Sequence, residues 1–443
     1  MTAAIQVTDR AAAEALGILR LLLSDYHPRN FTLRFWDGTE WPAETEPARF
    51  VLTLNHPDAL PRMFADPSSD RAMAEAYLHG DFDVEGDLEA MVPVAYDLLN
   101  RDWSVAARLR LGWKLHSLSS HRPPPSGRGP ARLTGKVHSP ERDRSAVTFH
   151  YDVSNDFYAL WLDARMIYSC AYFETGDDDL ATAQTRKLDY LCRKLRLRPG
   201  ERLLDIGCGW GGLILHAAQH FGVEALGITL SERQATLARE RIAHAGLDDR
   251  CRVEVRDYRE VDAALPFDKV VSVGMVEHVG EALLPTYFEK AWRVLRPGGV
   301  FLCHGIACYT TQPQPASPTF SEHYVFPDGE LVPLHVLLRH AEVAGFEVRD
   351  VESLREHYVL TLRHWRSRLE AHQSEALQFV DQLTYRVWRV FLAGAAYRLS
   401  ANLANVYQTL LVKPDHGQSG LPLTRVDWYA PHTGEPKRAS SVR

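Results

Sequence analysis

The stretch RLLDIGCGWGG, residues 202–212, decides the fold of this chain. Its apolar first half predicts a short buried strand, four glycines crowd the turn that follows, and residues 213–220 predict a helix. A strand, a glycine turn and a helix in this order are typical of sites for nucleotide-like ligands. Glycine lets the backbone approach such a ligand, and the first N–H groups of the helix face it. Because a glycine turn also occurs where a strand simply joins a helix, the residues beyond it must identify the ligand.

The second predicted strand argues against a nicotinamide cofactor. Such a cofactor needs Asp or Glu at the end of that strand to hold the ribose hydroxyls. Here residues 223–228 end in Thr229, and Gln234 follows in the next predicted helix. No carboxylate stands at the strand tip, so Thr229 and Gln234 are the candidates for contact with a ribose.

The later strands complete a recognisable series. Residues 252–256 end in Asp257 and Tyr258, a carboxylate and an aromatic face suited to an adenine, and residues 268–273 and 300–304 predict the fourth and fifth strands. The series resembles the class I S-adenosylmethionine-dependent methyltransferases. This resemblance implies an α/β, Rossmann-like domain built on a doubly wound, mostly parallel seven-stranded sheet.

Length and composition exclude several classes of protein. A chain of 443 residues is too long for one ordinary domain, and its 45% hydrophobic and 24% charged residues are typical of globular proteins. The net charge of −7 argues against a general nucleic-acid binder. Six scattered cysteines suggest neither a disulfide framework nor a metal site, which favours a reducing cytosol. No apolar run is long enough to span a membrane, and residues 2–23 predict an amphipathic helix rather than a signal peptide.

The pattern of elements predicts two domains and a linker. Residues 1–120 predict a smaller α+β domain with strands at 31–35 and 50–54 and a solvated acidic turn at 80–87. Residues 121–144 are rich in Pro and Gly, carry six Lys or Arg against two acids, and predict the linker. Residues 145–443 are then the catalytic domain.

One basic segment in the smaller domain has two interpretations. Residues 98–118 predict a helix in which Arg and Lys alternate with Trp and Leu. Such a helix either lies at a membrane interface or packs on its own domain with a solvated basic face. The positive linker beside it is also suited to contact with anionic lipid.

Six motifs occur in one order and narrow the resemblance. They are HYDVSNDFY from His150, YSCAYF from Tyr168, DIGCGWGG from Asp205, GITLSERQ from Gly227, VGMVEHVG from Val273 and CHGI from Cys303. Together they resemble the cyclopropane-fatty-acyl-phospholipid synthases and the related mycolic-acid cyclopropane synthases. The resemblance is strong from about residue 140 onward and looser over residues 1–120, which are similar to the smaller N-terminal domain of the bacterial phospholipid enzymes.

The resemblance implies methyl transfer from S-adenosylmethionine to the cis double bond of an acyl chain. Methyl attack on an alkene leaves a carbocation, and a base must then remove a proton so that the ring closes. Such chemistry needs a dry cavity, aromatic faces and one oriented base. In this family a bicarbonate ion is that base, and the resemblance assigns its holders to Cys170, Glu277, His304, Ile306 through its backbone, and Tyr358. Each also has a plain structural interpretation, such as a helix-terminal charge for Glu277 or a core thiol for Cys170.

The expected cofactor contacts surround the glycine turn. The fold places Gly207, Gly209 and Gly211 against the methionine part, while Asp205 either bonds through water or braces the loop. The resemblance adds Tyr168 and Ser169 near the amino-acid end, Thr229 and Gln234 near the ribose, and Tyr258 near the adenine. Asp257, at the end of the third strand, is a further candidate for the adenine. The candidates for an acyl tunnel, each equally suited to a plain core, are Tyr151, Tyr172, Phe173, Tyr309 and Tyr324.

The sequence thus predicts a cyclopropane-fatty-acyl-phospholipid synthase that uses S-adenosylmethionine and bicarbonate. The expected partners are unsaturated phospholipid acyl chains, met by peripheral contact with the cytoplasmic face of the membrane; a homodimer is also compatible, and nucleic acid is not expected. One alternative is a relative that leaves a methylene- or methyl-branched acyl chain, or one that methylates a small molecule. Another is a lipid-binding protein with a degenerate methyltransferase domain. The motifs alone do not separate the ring product from the branched one.

Overall fold

The chain folds around two β-sheets. The structure is a computed structural model, and it describes residues 9–66, 70–101, 103–118, 130–131, 133–151, 153–311 and 318–429. Within these residues no helix combines the length and the hydropathy needed to cross a membrane.

The first sheet belongs to the N-terminal region. Its four strands lie in the order β2-β1-β3-β4, with β1 and β3 parallel and the outer pairs antiparallel. The elements of this region are α1 (Arg10–Leu22), β1 (Phe31–Arg34), β2 (Glu40–Trp41), β3 (Phe50–Leu54), α2 (Ala59–Met63), α3 (Arg71–Leu78), β4 (Phe82–Gly86), α4 (Leu88–Asn100) and α5 (Val105–Leu118).

Two sequence predictions in this region were wrong. Residues 80–87 are not a solvated turn, because Phe82 and Val84 alternate inward along β4 while the acids between them face outward. Residues 98–118 are not one helix, because α4 ends at Asn100, Arg101 is extended, and α5 begins at Val105. The predicted helix over residues 2–23 is α1, which begins at Arg10 after the Asp9 cap; residues 1–8 lie outside the described chain.

The second sheet carries the predicted nucleotide fold. Its seven strands lie in the order β10-β11-β9-β8-β5-β6-β7, and β11 alone runs antiparallel to its neighbours, which confirms the predicted fold class. The elements are α6 (Pro140–Tyr151), α7 (Asn155–Trp161), α8 (Leu180–Leu195), β5 (Arg202–Ile206), α9 (Gly212–Phe221), β6 (Glu224–Thr229), α10 (Glu232–His244), β7 (Cys251–Val255), β8 (Phe267–Val273), α11 (Leu284–Val294), β9 (Leu295–Cys308), α12 (Phe320–Tyr324), α13 (Leu334–Val343), β10 (Glu347–Ser353), α14 (Arg355–Ala371), α15 (Gln373–Phe379), α16 (Gln382–Ser400) and β11 (Ala404–Val412). The fifth strand of this sheet in chain order is β9, which is longer than the predicted strand over 300–304.

The helices around this sheet start where the sequence offers caps. Asp179, Ser231 and Asp381 accept hydrogen bonds from the first turns of α8, α10 and α16. The short 3-10 helix Val276–His278 follows β8 and carries the predicted catalytic carboxylate. The segment that joins β9 to α13 contains α12, and residues 312–317 of it lie outside the described chain.

The two sheets share a continuous hydrophobic core through α14 and α16. This core extends from α1 to the start of β11. Ion pairs reinforce the contact: Arg363 of α14 bonds Glu89 of α4 at 2.6 Å, and Arg386 of α16 pairs with Asp83 of β4. The segment after β9 joins in, since the Tyr324 hydroxyl donates to Glu75 at 2.9 Å. The N-terminal region is therefore packed onto the elements that flank the site.

Candidate active site

A cleft opens at the carboxyl ends of β5, β6, β7 and β8, where ligands bind in doubly wound sheets. Nine of the ten predicted cofactor residues line it: Tyr168, Ser169, Asp205, Gly207, Gly209, Thr229, Gln234, Asp257 and Tyr258. The tenth, Gly211, does not. A Cβ on Gly211 would lie 3.1 Å from the Ala238 Cβ, so this glycine permits close packing of α10 instead.

The glycine turn brings its backbone against the next strand. Gly207 has φ +85°, and a Cβ there would lie 3.1 Å from the Met275 side chain. Met275 itself lines the cleft just after β8. A side chain at residue 207 would both strain the backbone and push Met275 aside, which explains the glycine.

The tip of β6 is held by its own side chains. The Thr229 hydroxyl donates to Gln234 Oε1 at 2.8 Å and accepts from the Ser231 N–H at 3.1 Å. Both predicted ribose contacts are buried, and they are fixed to each other before any ligand arrives.

The predicted adenine contacts are already engaged with the protein. The Asp257 carboxylate accepts from the Arg259 backbone N–H at 2.9 Å and from its guanidinium. The Tyr258 ring packs edge-on against Tyr287 at 5.6 Å, and its hydroxyl is buried without a partner among the described residues. Burial raises the pKa of Tyr258 to about 12, so its hydroxyl is a neutral donor.

A lysine that the sequence analysis did not single out lies in the cleft. Lys187 of α8 is fully buried, and its ammonium donates to the Ser169 hydroxyl at 2.8 Å. Burial lowers the pKa of Lys187 to about 8 and raises that of Asp205 to about 7, although the charge of Lys187 opposes the latter shift. Its position was visible in the sequence, because residues 183, 187, 191 and 195 are spaced by four and share the buried face of α8.

Helix α6 covers the cleft. Asp143, Ala146 and Val147 line the cavity. Arg142 binds Asp328 at 2.7 Å, and Arg259 binds Asp143 at 2.8 Å, so two charged pairs hold the first turn of α6 in place. The stretch predicted as a linker, residues 121–144, therefore ends in a helix that begins at Pro140 and contributes to the site, while residues 119–129 and 132 lie outside the described chain.

The predicted catalytic carboxylate, Glu277, lies just beyond the end of β8, where β9 continues without this neighbour. β8 pairs with β9 as far as Val273 and His304, and the Gly274 N–H donates to the His304 carbonyl. In a continued parallel ladder the Ile306 N–H would donate back to Gly274. It donates instead to Glu277 Oε1 at 2.7 Å.

The other oxygen of Glu277 is buried without a partner among the described residues. Burial raises the pKa of Glu277 to about 7, while the bond from Ile306 lowers it. The carboxyl is therefore about half protonated at neutral pH and can either donate or accept a hydrogen bond.

His304 is oriented by the antiparallel strand beside it. Gln408 of β11 lies opposite His304 in the register, and its amide nitrogen is 3.2 Å from His304 Nδ1. Burial lowers the pKa of His304 to about 3, and the charges of Lys187 and Lys194 lower it further. The ring is thus neutral, and an amide donating to Nδ1 leaves the ring proton on Nε2, which is buried without a partner among the described residues.

The remaining predicted holders meet on one apolar cluster. Cys170 packs with Leu354 and Val406, and the side chains of Ile306 and Tyr358 pack against them. Burial raises the pKa of the Cys170 thiol, so it is not a thiolate nucleophile. Ile306 joins the two halves of the site, through its N–H to Glu277 and through its side chain to Cys170 and Tyr358.

None of the five lines the cofactor cleft, but Met275 and His278 on either side of Glu277 do. An aromatic path also connects the two regions. The ring of Tyr168, in the cleft, lies 5.1 Å from that of Trp365, which lies 6.1 Å from that of Tyr358. Trp161 and Trp388 extend this cluster, and the sequence analysis did not identify it.

The predicted tunnel residues do not form a common wall. The Tyr309 hydroxyl bonds Asn402 at the exterior, and Tyr324 lies at the contact with the N-terminal region. Tyr172 and Phe173 stack on His357 and His364, away from the cleft. The Tyr151 side chain lies outside the described part of the chain.

Comparison with known proteins places this geometry among relatives. The profile of a family described as mycolic acid cyclopropane synthetase matches residues 138–409, and a domain family of unknown function matches residues 18–102. A probable fatty acid methyltransferase of Pseudomonas putida is 39% identical over 401 residues, which cover 90% of this chain and 95% of the relative. The tuberculostearic acid methyltransferase UfaA1 of Mycobacterium tuberculosis is 31% identical over 424 residues. These cover 91% of this chain and 92% of the relative.

The solved structures match the second sheet and its helices. The mycolic acid cyclopropane synthase CmaA1 complexed with SAH and CTAB is 33% identical, with a TM-score of 0.58. The match covers 60% of this chain and 97% of that one. The cyclopropane synthase MmaA2 from Mycobacterium tuberculosis matches at 32% identity, with the same TM-score and the same coverage of both chains.

Proposed function

Because the chain belongs to the mycolic acid cyclopropane synthetase family of S-adenosylmethionine-dependent methyltransferases, we propose that it methylates the cis double bond of unsaturated phospholipid acyl chains and closes the product to a cyclopropane ring. The cleft along the glycine turn is the place for the cofactor. Bound there, S-adenosylmethionine supplies the methyl group, and the protein supplies the surroundings in which an alkene accepts it.

One observation carries this proposal: the Glu277 carboxyl and the neutral His304 imidazole each keep one buried polar atom without a partner among the described residues. An enzyme that methylates nitrogen or oxygen needs only to deprotonate its nucleophile. An alkene carries no such proton, so the proton must leave after methyl transfer, and a protected polar chamber serves that later step. The rings of Tyr358, Trp365 and Tyr168 offer π-faces that tolerate a passing positive charge.

The residues of this chamber fit a small oxyanion such as bicarbonate. The protonated form of Glu277 and the Nε2–H of His304 are both donors, as an anion requires. Cys170 and Tyr358 lie on the neighbouring apolar cluster. The N–H of Ile306 is occupied by Glu277, so its contact with an anion requires that carboxyl to turn away. A bicarbonate held there would supply a base that does not trap the cation as a stable ester.

A second product is favoured by the relatives that span both regions of the chain. The proteins matched over 90% and 91% of this chain are named a fatty acid methyltransferase and a tuberculostearic acid methyltransferase. The cyclopropane synthase structures match only about 60% of it. The second candidate function is therefore methylation of the same alkene to a methylene-branched chain, in which a hydride shifts to the cationic carbon before the new methyl group loses its proton. A methyl-branched chain would need a separate reductase to supply hydride to that product.

The substrate side of the proposal depends on the N-terminal region. This region shares its core with α14 and α16 and precedes the catalytic elements, as in enzymes that act on intact phospholipids. We place the enzyme at the cytoplasmic face of the membrane in peripheral contact with it.

The proposal is tested by lipid analysis of a bacterial host that has no acyl-methylating enzyme of its own. Expression should convert unsaturated phospholipid chains to products one methylene heavier, and the ring and the exomethylene are separated by fragmentation and by hydrogenation. The matched control is Gly207→Val, which fills the cofactor turn and strains its backbone. Unchanged lipids from a chain that binds S-adenosylmethionine by calorimetry would contradict the proposal.

A further inference from the structure

Helix α5 turns an apolar stripe toward solvent. Val105, Leu109 and Trp113 are spaced by four residues and are 75%, 71% and 77% exposed. Such spacing places the three side chains on one side of the helix. A tryptophan and two aliphatic residues aligned in water cost free energy unless a partner covers them.

The opposite side of α5 fixes the helix in place. Leu115 and Leu118 are buried in the core of the N-terminal region, and Leu111 packs against it. The helix lies on α1 and α2. The exposed stripe therefore belongs to a helix whose orientation is set by packing.

The charge around the stripe selects its partner. Residues 103–138 contain seven Lys or Arg and no Asp or Glu, in a chain of net charge −7. Arg110 is exposed and Lys114 is half-buried, and neither makes an ion pair with a described residue. Cations flanking Trp and Leu match an interface in which apolar side chains enter lipid and the charges meet phosphate.

We propose that the exposed face of α5 docks on an anionic phospholipid bilayer, with Val105, Leu109 and Trp113 entering the interface. Two other occupants fit less well. A second copy docked face to face would oppose Arg110 and Lys114 to the same cations. Segment 119–129 has no carboxylate to pair with them.

This inference shares with the proposed function the premise that the substrate lies in a bilayer. It is tested separately, because vesicle binding needs neither cofactor nor turnover. The full chain is sedimented with vesicles of phosphatidylcholine alone or mixed with phosphatidylglycerol. We expect the chain to bind the mixed vesicles. Its affinity for them should fall at least tenfold when the salt concentration is raised from low to above physiological values.

The decisive variant is Leu109→Ser with Trp113→Ser. It should weaken partitioning at least tenfold and leave the melting temperature and the mass in solution unchanged, because both side chains face solvent. The control pair is Val343→Ser with Leu423→Ser, which removes apolar residues that are equally exposed elsewhere and should bind as the wild type does. Charge reversal by Arg110→Glu with Lys114→Glu should abolish the preference for phosphatidylglycerol, whereas Arg293→Glu should keep it.

Three results overturn the inference. Vesicle affinity unaffected by the α5 serines would place the lipid contact elsewhere. A fall in mass on making them would show that a second copy covers the stripe. A melting temperature lowered by several degrees would show that the chain itself covers it.

Discussion

The cofactor cleft and the proposed polar chamber around Glu277 and His304 are built in opposite ways. The cleft is open, and it is shaped largely by residues that follow one another closely at the tips of β5, β6, β7 and β8. The proposed chamber takes its groups from residues 170, 277, 304 and 358, which are far apart in the chain. Binding is thus encoded locally, whereas the conditions for chemistry arise only when the whole sheet is assembled.

Electrostatics sharpen this difference. In the cleft, Lys187 and Asp205 oppose each other's desolvation. In the chamber, burial drives both Glu277 and His304 toward neutrality, and the charges of Lys187 and Lys194 lower the pKa of His304 further. A change in the cleft should therefore alter cofactor affinity, and a change in the chamber should alter turnover.

The largest expected effect is that of Glu277→Gln. The amide keeps the shape but cannot exchange a proton, so we expect turnover to fall by about 10³-fold. Cofactor affinity measured by calorimetry should change less than about threefold, because the carboxyl is not in the cleft. Near-normal turnover would show that Glu277 takes no part in the reaction. A loss of cofactor affinity would show that Glu277 belongs to the cofactor site.

The same substitution should change how stability depends on pH. The pKa of Glu277 is about 7 in the folded chain, against 4.5 for an ordinary Glu. Its protonated form therefore stabilises the fold below pH 4.5, and this contribution is lost as the pH rises to about 7. Urea unfolding should show that Glu277→Gln gains about 2 to 3 kcal/mol of unfolding free energy relative to the wild type between pH 5 and pH 8. Exposed Glu289→Gln is the control, and equal gains for both variants would contradict the buried carboxyl.

Lys187→Met should show the reverse pattern. Removing a buried ammonium that holds Ser169 leaves Asp205 without its counter-charge, so the dissociation constant for S-adenosylmethionine should rise about tenfold or more. Turnover at saturating cofactor should fall less than about threefold. Lys290→Met serves as the control, since Lys290 bonds the Val261 carbonyl away from the cleft. If turnover falls and affinity does not, Lys187 acts on the chamber instead.

The smallest effect is expected for Gln408→Leu. Loss of the amide beside His304 Nδ1 frees the ring to change tautomer, and turnover should fall about tenfold with cofactor affinity unchanged. Gln408→Glu should cost more, because a carboxylate draws the ring proton to Nδ1. Thr409→Val, on the other side of β11, is the control. Nitrogen NMR of the ring should show Nε2–H in the wild type, and Nδ1–H there would reverse this assignment.

The sequence predicted best what depends on short, periodic patterns. The strand over 202–206, its glycine turn and the succession of strands that follows in the chain were predicted correctly, because each is set by neighbours a few residues apart. The acidic composition of residues 80–87 concealed a strand whose inward positions alternate. The break before Val105 was missed because no proline or glycine marks it.

The site could be predicted only in part for the same reason. The glycine turn reveals a cleft, and the four-residue spacing along α8 places Lys187 on its buried face, but nothing local shows that this lysine reaches the cleft or that Asp143 belongs to a covering helix. The assignment of Glu277 and its four companions came from resemblance and stays a prediction, as do the domain boundaries. The bond from Ile306 to Glu277 joins residues whose meeting depends on where β8 stops.

That stopping point has a consequence for how such a pocket can arise. If β8 paired with β9 over one more residue, a main-chain carbonyl of β8 would accept the hydrogen bond from the Ile306 N–H. Glu277 would then have no hydrogen bond to the sheet. The length of β8, as much as the identity of the side chain, thus decides whether a carboxyl is held beside the Ile306 N–H. A one-residue insertion after Val273 should leave the sheet intact and the protein without activity.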